Sequence, residues 1–321
     1  MNRHVWMLLA VGLLSACGDS GGRPRRPGTG TTDGSVDGDG GVRPVFDAGP
    51  CTPSGAEGSV ESCTDGLDND CDGRFDCADE ACSGVGPCPV CGSVDTQLGA
   101  PLALPDGVGG TSCSSGSSCP GAQQCFDLGE DLFGGRTFEC RESYRSSLDF
   151  IGFAPTATFT DVSDIVSVCV TMEHSWVRDL EMRLEAPNGQ FVQLQAFEGR
   201  DVVEEVYLGT ANDCDEDDVP SPGTGARYCW TPTATRPAMF TYANGTGPMD
   251  SVTDCNGGTA DMLPPGDYGT STPFTNLIGT PMNGRWTLSV TDLWGIDNGY
   301  IFDWSITFNA RNVEDCSSPL I

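Results

Sequence analysis

The sequence predicts an all-β protein: a C-terminal β-sandwich or jelly roll, preceded by small disulfide-rich, loop-dominated modules and a disordered tether. Three observations carry this expectation. From about Leu148 onward, apolar and polar residues alternate with β-branched enrichment and no helical period. The 17 cysteines fall in clusters, as in small domains of oxidising compartments. Residues 18–50 hold almost nothing apolar and cannot bury enough surface to offset the entropy of ordering.

The chain begins MNRH, followed by an unbroken apolar run over residues 5–14 and then Ser15-Ala16-Cys17. A basic start, a short apolar core and small residues make a secretory signal, and ten apolar residues are too few to span a bilayer. Leu14-Ser15-Ala16-Cys17 resembles the bacterial lipobox, which implies removal of residues 1–16 and acylation of Cys17. The expected location is outside the inner membrane, lipid-anchored to the bacterial envelope, with the outer membrane favoured. Residues 17–50 then form the lipidated Cys and a Gly/Pro/Asp-rich linker, a coil with a reach of about 30 Å.

Charge narrows the partners. There are 46 acidic residues against 16 basic ones, all Arg; removing residues 1–16 takes away Arg3 and moves the formal charge from −30 to −31. Such a surface disfavours nucleic acid and anionic lipid, leaves the acyl chain to hold the membrane, and favours divalent cations. The absence of Lys excludes Schiff-base and Ser-Lys chemistry.

If Cys17 is lipidated, 16 cysteines remain in groups of seven (Cys51 to Cys91), four (Cys113 to Cys140) and five (Cys169 to Cys316). Two odd groups require at least one bridge between regions, although spacing alone leaves the connectivity open.

Residues 51–91 are too few and too polar for an apolar core, so disulfides, metal or both must hold them. Their centre is 68-DNDCDGRFDCAD-79. Numbered from Asp68, carboxylates fall at positions 1, 3, 5, 9 and 12 (Asp68, Asp70, Asp72, Asp76, Asp79), with Gly73 at 6, Arg74 at 7 and Phe75 at 8. This phase follows the EF-hand calcium loop, in which position 7 ligates through its backbone carbonyl. An apolar residue at 8 is expected to pack inward. The flanks are not helix-forming, Asp replaces Glu at 12, and Cys71 and Cys77 sit between the ligands, so disulfides stand in for helices. The stretch Cys63-Thr64-Asp65-Gly66-Leu67-Asp68-Asn69-Asp70-Cys71-Asp72-Gly73 also resembles the MopE-type metal-binding motif of bacterial surface lipoproteins, named after a copper-binding protein. Hard carboxylates without His or Met suit calcium rather than copper. The expected ion is structural Ca²⁺ held with a Kd on the order of 10⁻⁴–10⁻³ M, with copper or another divalent cation as the alternative.

Residues 92–145 contain Cys113, Cys119, Cys125 and Cys140 among Gly and Ser, a two-disulfide connector with no visible chemistry. Over residues 146–315, Leu180–Phe197 reads as strand, Pro-Asn-Gly turn, strand, and Gly284–Phe308 as two strands around a Gly/Asp/Asn turn.

Three blocks here resemble a known family. His174-Ser-Trp-Val-Arg-Asp-Leu180 with Leu184-Glu-Ala-Pro-Asn-Gly189, Asn283-Gly-Arg-Trp-Thr-Leu-Ser-Val-Thr-Asp292, and Gly295 with Asp297-Asn-Gly299 and Trp304-Ser-Ile306 resemble the signatures of the P domain, or Homo B domain, of proprotein convertases. The long 200–275 stretch departs from that pattern. The resemblance implies a jelly roll that stabilises a neighbouring subtilisin-like protease and influences its calcium dependence. No protease is present: a Ser-His-Asp site needs a histidine base, and after residue 16 only His174 remains, inside a strand motif. Asp179, Asp292 and Asp297, at strand ends or turns, are further calcium candidates. The expectation is therefore a non-enzymatic surface lipoprotein with an unidentified protein or surface partner; the alternatives are an accessory to a serine endopeptidase and a metal-capture protein.

Overall fold

Alternation becomes strand wherever two faces of the chain meet different media, and the computed structural model is accordingly almost all β. It describes residues 51–96, 99–107, 110–121, 123–130, 135–199, 205–212, 221–245, 247–254, 256–295 and 299–321. The signal, Cys17, the tether and Asp297 lie outside the described residues, as do Cys214 and Cys255.

The first strands are β1 (Ser93–Asp95), β2 (Leu102–Ala103), β3 (Gln124–Glu130), β4 (Arg136–Arg141) and β5 (Tyr144–Phe150). Then come β6 (Ile165–His174), β7 (Leu180–Glu185), β8 (Phe191–Gln195), β9 (Val206–Tyr207) and β10 (Ala226–Trp230). A short helix, Met239–Ala243, precedes β11 (Asp250–Thr253), β12 (Thr259–Met262) and β13 (Gly266–Tyr268), and the long β14 (Gly284–Asp292) and β15 (Gly299–Phe308) follow. One sheet runs β1-β15-β6-β10-β13, with β2 also on β15; a second runs β5-β14-β7-β8; β11-β12-β9 and the β3–β4 hairpin are smaller.

The two large sheets share one core. Val168, Val170, Met172, Ile301, Trp304, Ile306 and Phe308 come from the first; Leu148, Leu180, Met182, Leu184, Trp286, Leu288 and Val290 come from the second. Each such side chain contributes about 1.5–3 kcal/mol on burial. Trp304 Nε1 donates to Ser146 Oγ at 2.9 Å, a hydrogen bond from one sheet to the other. Phe308 meets Phe150 and Trp286 edge-on, with ring centroids 5.1 and 5.2 Å apart.

The turn Pro187-Asn188-Gly189 connects β7 and β8, which pair antiparallel as the hairpin signal predicts; Gly189 takes a φ of 84° that favours glycine there. The second expected strand pair differs. β14 pairs with β5 and β7, whereas β15 pairs with β1, β2 and β6, so the chain changes sheets between them. A local turn signal marks a reversal but does not say which sheet receives the next strand.

Seven disulfides join described cysteines. Cys51–Cys71, Cys63–Cys82 and Cys77–Cys88 close the acidic module, and Cys113–Cys125 and Cys119–Cys140 brace the connector. Cys169–Cys229 joins directly opposed residues of β6 and β10. Cys91–Cys316 is the inter-region bridge that the odd cysteine groups require. β1 and β2, from the segment read as a connector, are part of the larger sheet.

Candidate metal centre

Residues 51–91 form no regular helix. Single 3₁₀ turns at Ser62–Thr64, Asp76–Ala78 and Glu80–Cys82 surround a small core of Cys63, Cys82 and Cys88, so disulfides replace the apolar core that this length cannot supply.

Within that frame the loop from Asp68 closes on itself through its own backbone. Gly73 N donates to Asp68 Oδ2 at 3.1 Å, Asp72 N to Asp70 Oδ1 at 3.2 Å, and Arg74 N to Asp72 Oδ1 at 2.8 Å. These bonds need a left-handed residue at position 6, and Gly73 has φ 97°. Cys71 also has a positive φ, 67°, and is tied to Cys51. The result brings Asp68, Asp70 and Asp72 together, with one carboxylate oxygen from each within 4.8 Å of the others.

Two further details distinguish this arrangement from an acidic surface turn. Asp79, at position 12, is only 1% exposed. Its Oδ1 accepts from Ala81 N at 2.6 Å and caps the Glu80–Cys82 turn, while Oδ2 is buried with no hydrogen-bond partner. Asp68 Oδ1 is likewise buried and unpartnered. Burial raises the Asp79 carboxyl above its ordinary value, and the nearby charges of Asp72 and Asp70 raise it further. A buried carboxylate oxygen with no donor is costly, and a cation removes that cost.

Two predicted carboxylate ligands lie outside this trio, Asp79, whose Oδ1 caps the next turn, and Asp76. Asp76, expected at position 9, lies in the left-handed region with φ 51°, and its Oδ1 accepts from Gly66 N at 3.0 Å. It opens the Asp76–Ala78 turn, which Cys77–Cys88 anchors, so it staples the two ends of the loop instead of facing its centre. Phe75, expected to pack inward, is 54% exposed, because no paired helix is present to receive it. Arg74 keeps position 7, and its guanidinium reaches away from the loop to Val313 O.

Sequence reasoning passed over two residues that hold the loop. Asn69 is buried; its O accepts from Ser54 N and Gly55 N at 2.9 and 3.2 Å, and its Nδ2 donates to the Asp65 carboxylate. Buried Glu57 accepts from Asn69 N at 3.1 Å. The signal was present: an Asn amid aspartates can donate as well as accept. The cysteine groups Glu57/Cys63/Cys82 and Cys113/Cys119/Cys140 also lie close together, but every sulfur in them is in a disulfide and offers no thiolate.

The weaker candidates in the sandwich have a different setting. Asp179 and Asp292 are buried at one end of β7 and β14, beside buried His174. Trp176 N donates to His174 Nδ1 at 3.0 Å, which leaves the ring proton on Nε2, 3.4 Å from Asp292 Oδ2. Asp292 Oδ1 accepts from Trp294 N at 2.9 Å, and Arg178 Nε lies 3.4 Å from Asp179 Oδ1. Protein groups already engage both carboxylates.

No known protein family, curated protein or solved structure matches the chain.

Proposed function

We propose that this protein is an exported, lipid-anchored surface protein, without catalysis of its own, in which a disulfide-caged Asp loop holds a structural calcium ion and a β-sandwich serves as the binding or stabilising module. The observation that carries the calcium reading is the pair of buried, unpartnered oxygens, Asp68 Oδ1 and Asp79 Oδ2, at positions 1 and 12 of a loop in which Asp70 and Asp72 converge on Asp68. The donor set fits the ion: carboxylates from Asp68, Asp70, Asp72 and Asp79, with the Arg74 carbonyl in reserve, are all hard oxygens. When bound, calcium supplies positive charge that relieves carboxylate repulsion, and so orders the module.

The P-domain resemblance is supported by where its three blocks sit. The His174–Leu180 block ends β6 and begins β7; β14 pairs with β7, and β15 with β6. Blocks separated by up to a hundred residues in the chain thus share adjacent strands. The burial of His174, with both ring nitrogens facing partners, supports a structural role for it.

The test is calorimetric titration of chelator-stripped protein with Ca²⁺, Mg²⁺ and Cu²⁺. One calcium site with a Kd on the order of 10⁻⁴–10⁻³ M, weakened at least tenfold in Asp68→Asn and Asp79→Asn, is expected. A silent calcium titration, or a site indifferent to both substitutions, would defeat the reading; tight copper binding with weak calcium binding would replace it with metal capture.

A further inference from the structure

The β3–β4 hairpin does not lie free. Phe126 and Leu128 of β3 form a small cluster with Leu293 and Phe197, and the Arg183 guanidinium of β7 sits 5.5 Å from the Phe126 ring. Between hairpin and β7 this packing leaves a cleft of about 590 Å³, a size ordinary for small-ligand sites. Its hairpin wall is braced by disulfides. Cys125, in the wall, is bonded to Cys113, and Cys119–Cys140 closes the other side of the hairpin, so this wall loses little ordering entropy on binding.

The lining has a definite chemistry. Each wall carries one guanidinium–carboxylate pair. On the hairpin, Arg136 meets Asp127 through two nitrogens, at 2.7 and 3.4 Å. On β7, Arg183 pairs with Glu181, which is 8% exposed and whose carboxyl is raised by burial. Half-buried Phe138 and Phe197 add aromatic surface to the lining.

This combination selects among ligands. Its acids outnumber its guanidiniums, with Glu198 at the rim, and the whole chain carries −30, so an anion is repelled. The two inner carboxylates are already neutralised by their own guanidiniums, so a cation gains little. What remains rewarded is a neutral molecule with donors and acceptors side by side and an apolar face to lay against a ring. Hydroxyl groups on adjacent ring carbons can accept from a guanidinium and donate to its carboxylate at once. We propose that this cleft is a binding site for neutral carbohydrate, a short chain of hexopyranose units. The site is independent of the Asp loop and stands with or without calcium there.

The experiment is calorimetric titration of the calcium-supplemented protein with maltohexaose, cellohexaose and chitohexaose, with hexa-arginine as the cationic control. Saturable binding of at least one sugar, weakened tenfold or more by Phe197→Ala and by the exposed-site variant Arg136→Gln, is expected, with circular dichroism unchanged for Arg136→Gln. Absence of saturation by all three sugars up to about 10 mM would overturn it. So would sugar binding insensitive to both substitutions, or saturable binding of hexa-arginine alone.

Discussion

The guanidinium of Arg74 donates to the carbonyl oxygen of Val313 at 3.1 Å, across 239 residues of sequence. Arg74 is position 7 of the acidic loop, so one residue ties the loop, through its N–H on Asp72, to the end of the sandwich, through its side chain. Cys316 N donates to Ala78 O nearby, and Cys91–Cys316 locks the contact. Calcium that orders the loop should therefore also quiet residues 313–316. Hydrogen exchange in calcium and in chelator should show slower exchange there with calcium, and Arg74→Ala should erase most of that difference. The disulfide keeps the segment attached, so the variant should lose only about 1 kcal/mol of stability. Equal protection in both proteins would disprove the coupling.

Asp79 contributes a pH dependence to the metal-free form. Its carboxyl is raised by burial and by Asp72 and Asp70, so the folded state holds its proton more tightly than the unfolded chain does. Without metal, stability therefore falls as pH rises from the ordinary carboxylate value, about 4, through the raised one, and is restored on acidification. With calcium the sign reverses, because protons compete with the ion for the same oxygen. Thermal melts across this window should shift in opposite directions in chelator and in calcium, and Asp79→Asn should flatten the chelator curve.

Much of this architecture was legible in the chain and some was not, for physical reasons. Strand period and turn chemistry are local, so β6, the β7–β8 hairpin and the two long C-terminal strands can be read from a dozen residues each. Cysteine parity likewise demands an inter-region bond such as Cys91–Cys316. Which sheet a strand enters is decided by contacts distant in sequence, so the parting of β14 from β15 left no local mark. The Asp loop shows the same division. Spacing places Asp68, Asp70 and Asp72 together, but a disulfide and a 3₁₀ turn rotate Asp76 out to Gly66, and spacing carries no information on that. The cleft under the β3–β4 hairpin escaped altogether, since its walls come from segments some fifty residues apart.

Asp164 should control stability at the acid end. Burial alone would raise its carboxyl, but Arg311 Nη2 at 2.6 Å, Asn312 Nδ2 at 3.0 Å and the backbone N–H groups of Asp161 and Thr160 at 2.8 and 2.6 Å outweigh burial and hold it well below the usual range. A depressed carboxylate contributes stability that is present above its unfolded pKa and lost as pH falls through the folded one. Denaturant melts from about pH 4 downward should show that loss in the native protein and not in Asp164→Asn. The variant should be less stable by about 2–4 kcal/mol at neutral pH. An unchanged acid limb would show that other carboxylates govern acid unfolding.

His174 is where the proposed absence of protease chemistry can be tested. A general base must reach a nucleophile with a free nitrogen lone pair. Here the Nδ1 lone pair accepts from Trp176 N at 3.0 Å, and Nε2 carries the proton toward Asp292 in a fully buried pocket. The arrangement has an Asp-His pair, and among the described residues both members are buried. Imidazole ¹⁵N spectra should show the Nε2–H tautomer, and a fluorophosphonate probe should fail to label the protein saturably. His174→Phe should lower stability by about 2–4 kcal/mol, because Asp292 loses the ring N–H while remaining buried. Saturable labelling that disappears in His174→Phe, with the variant still folded, would overturn the structural reading and make the histidine a base.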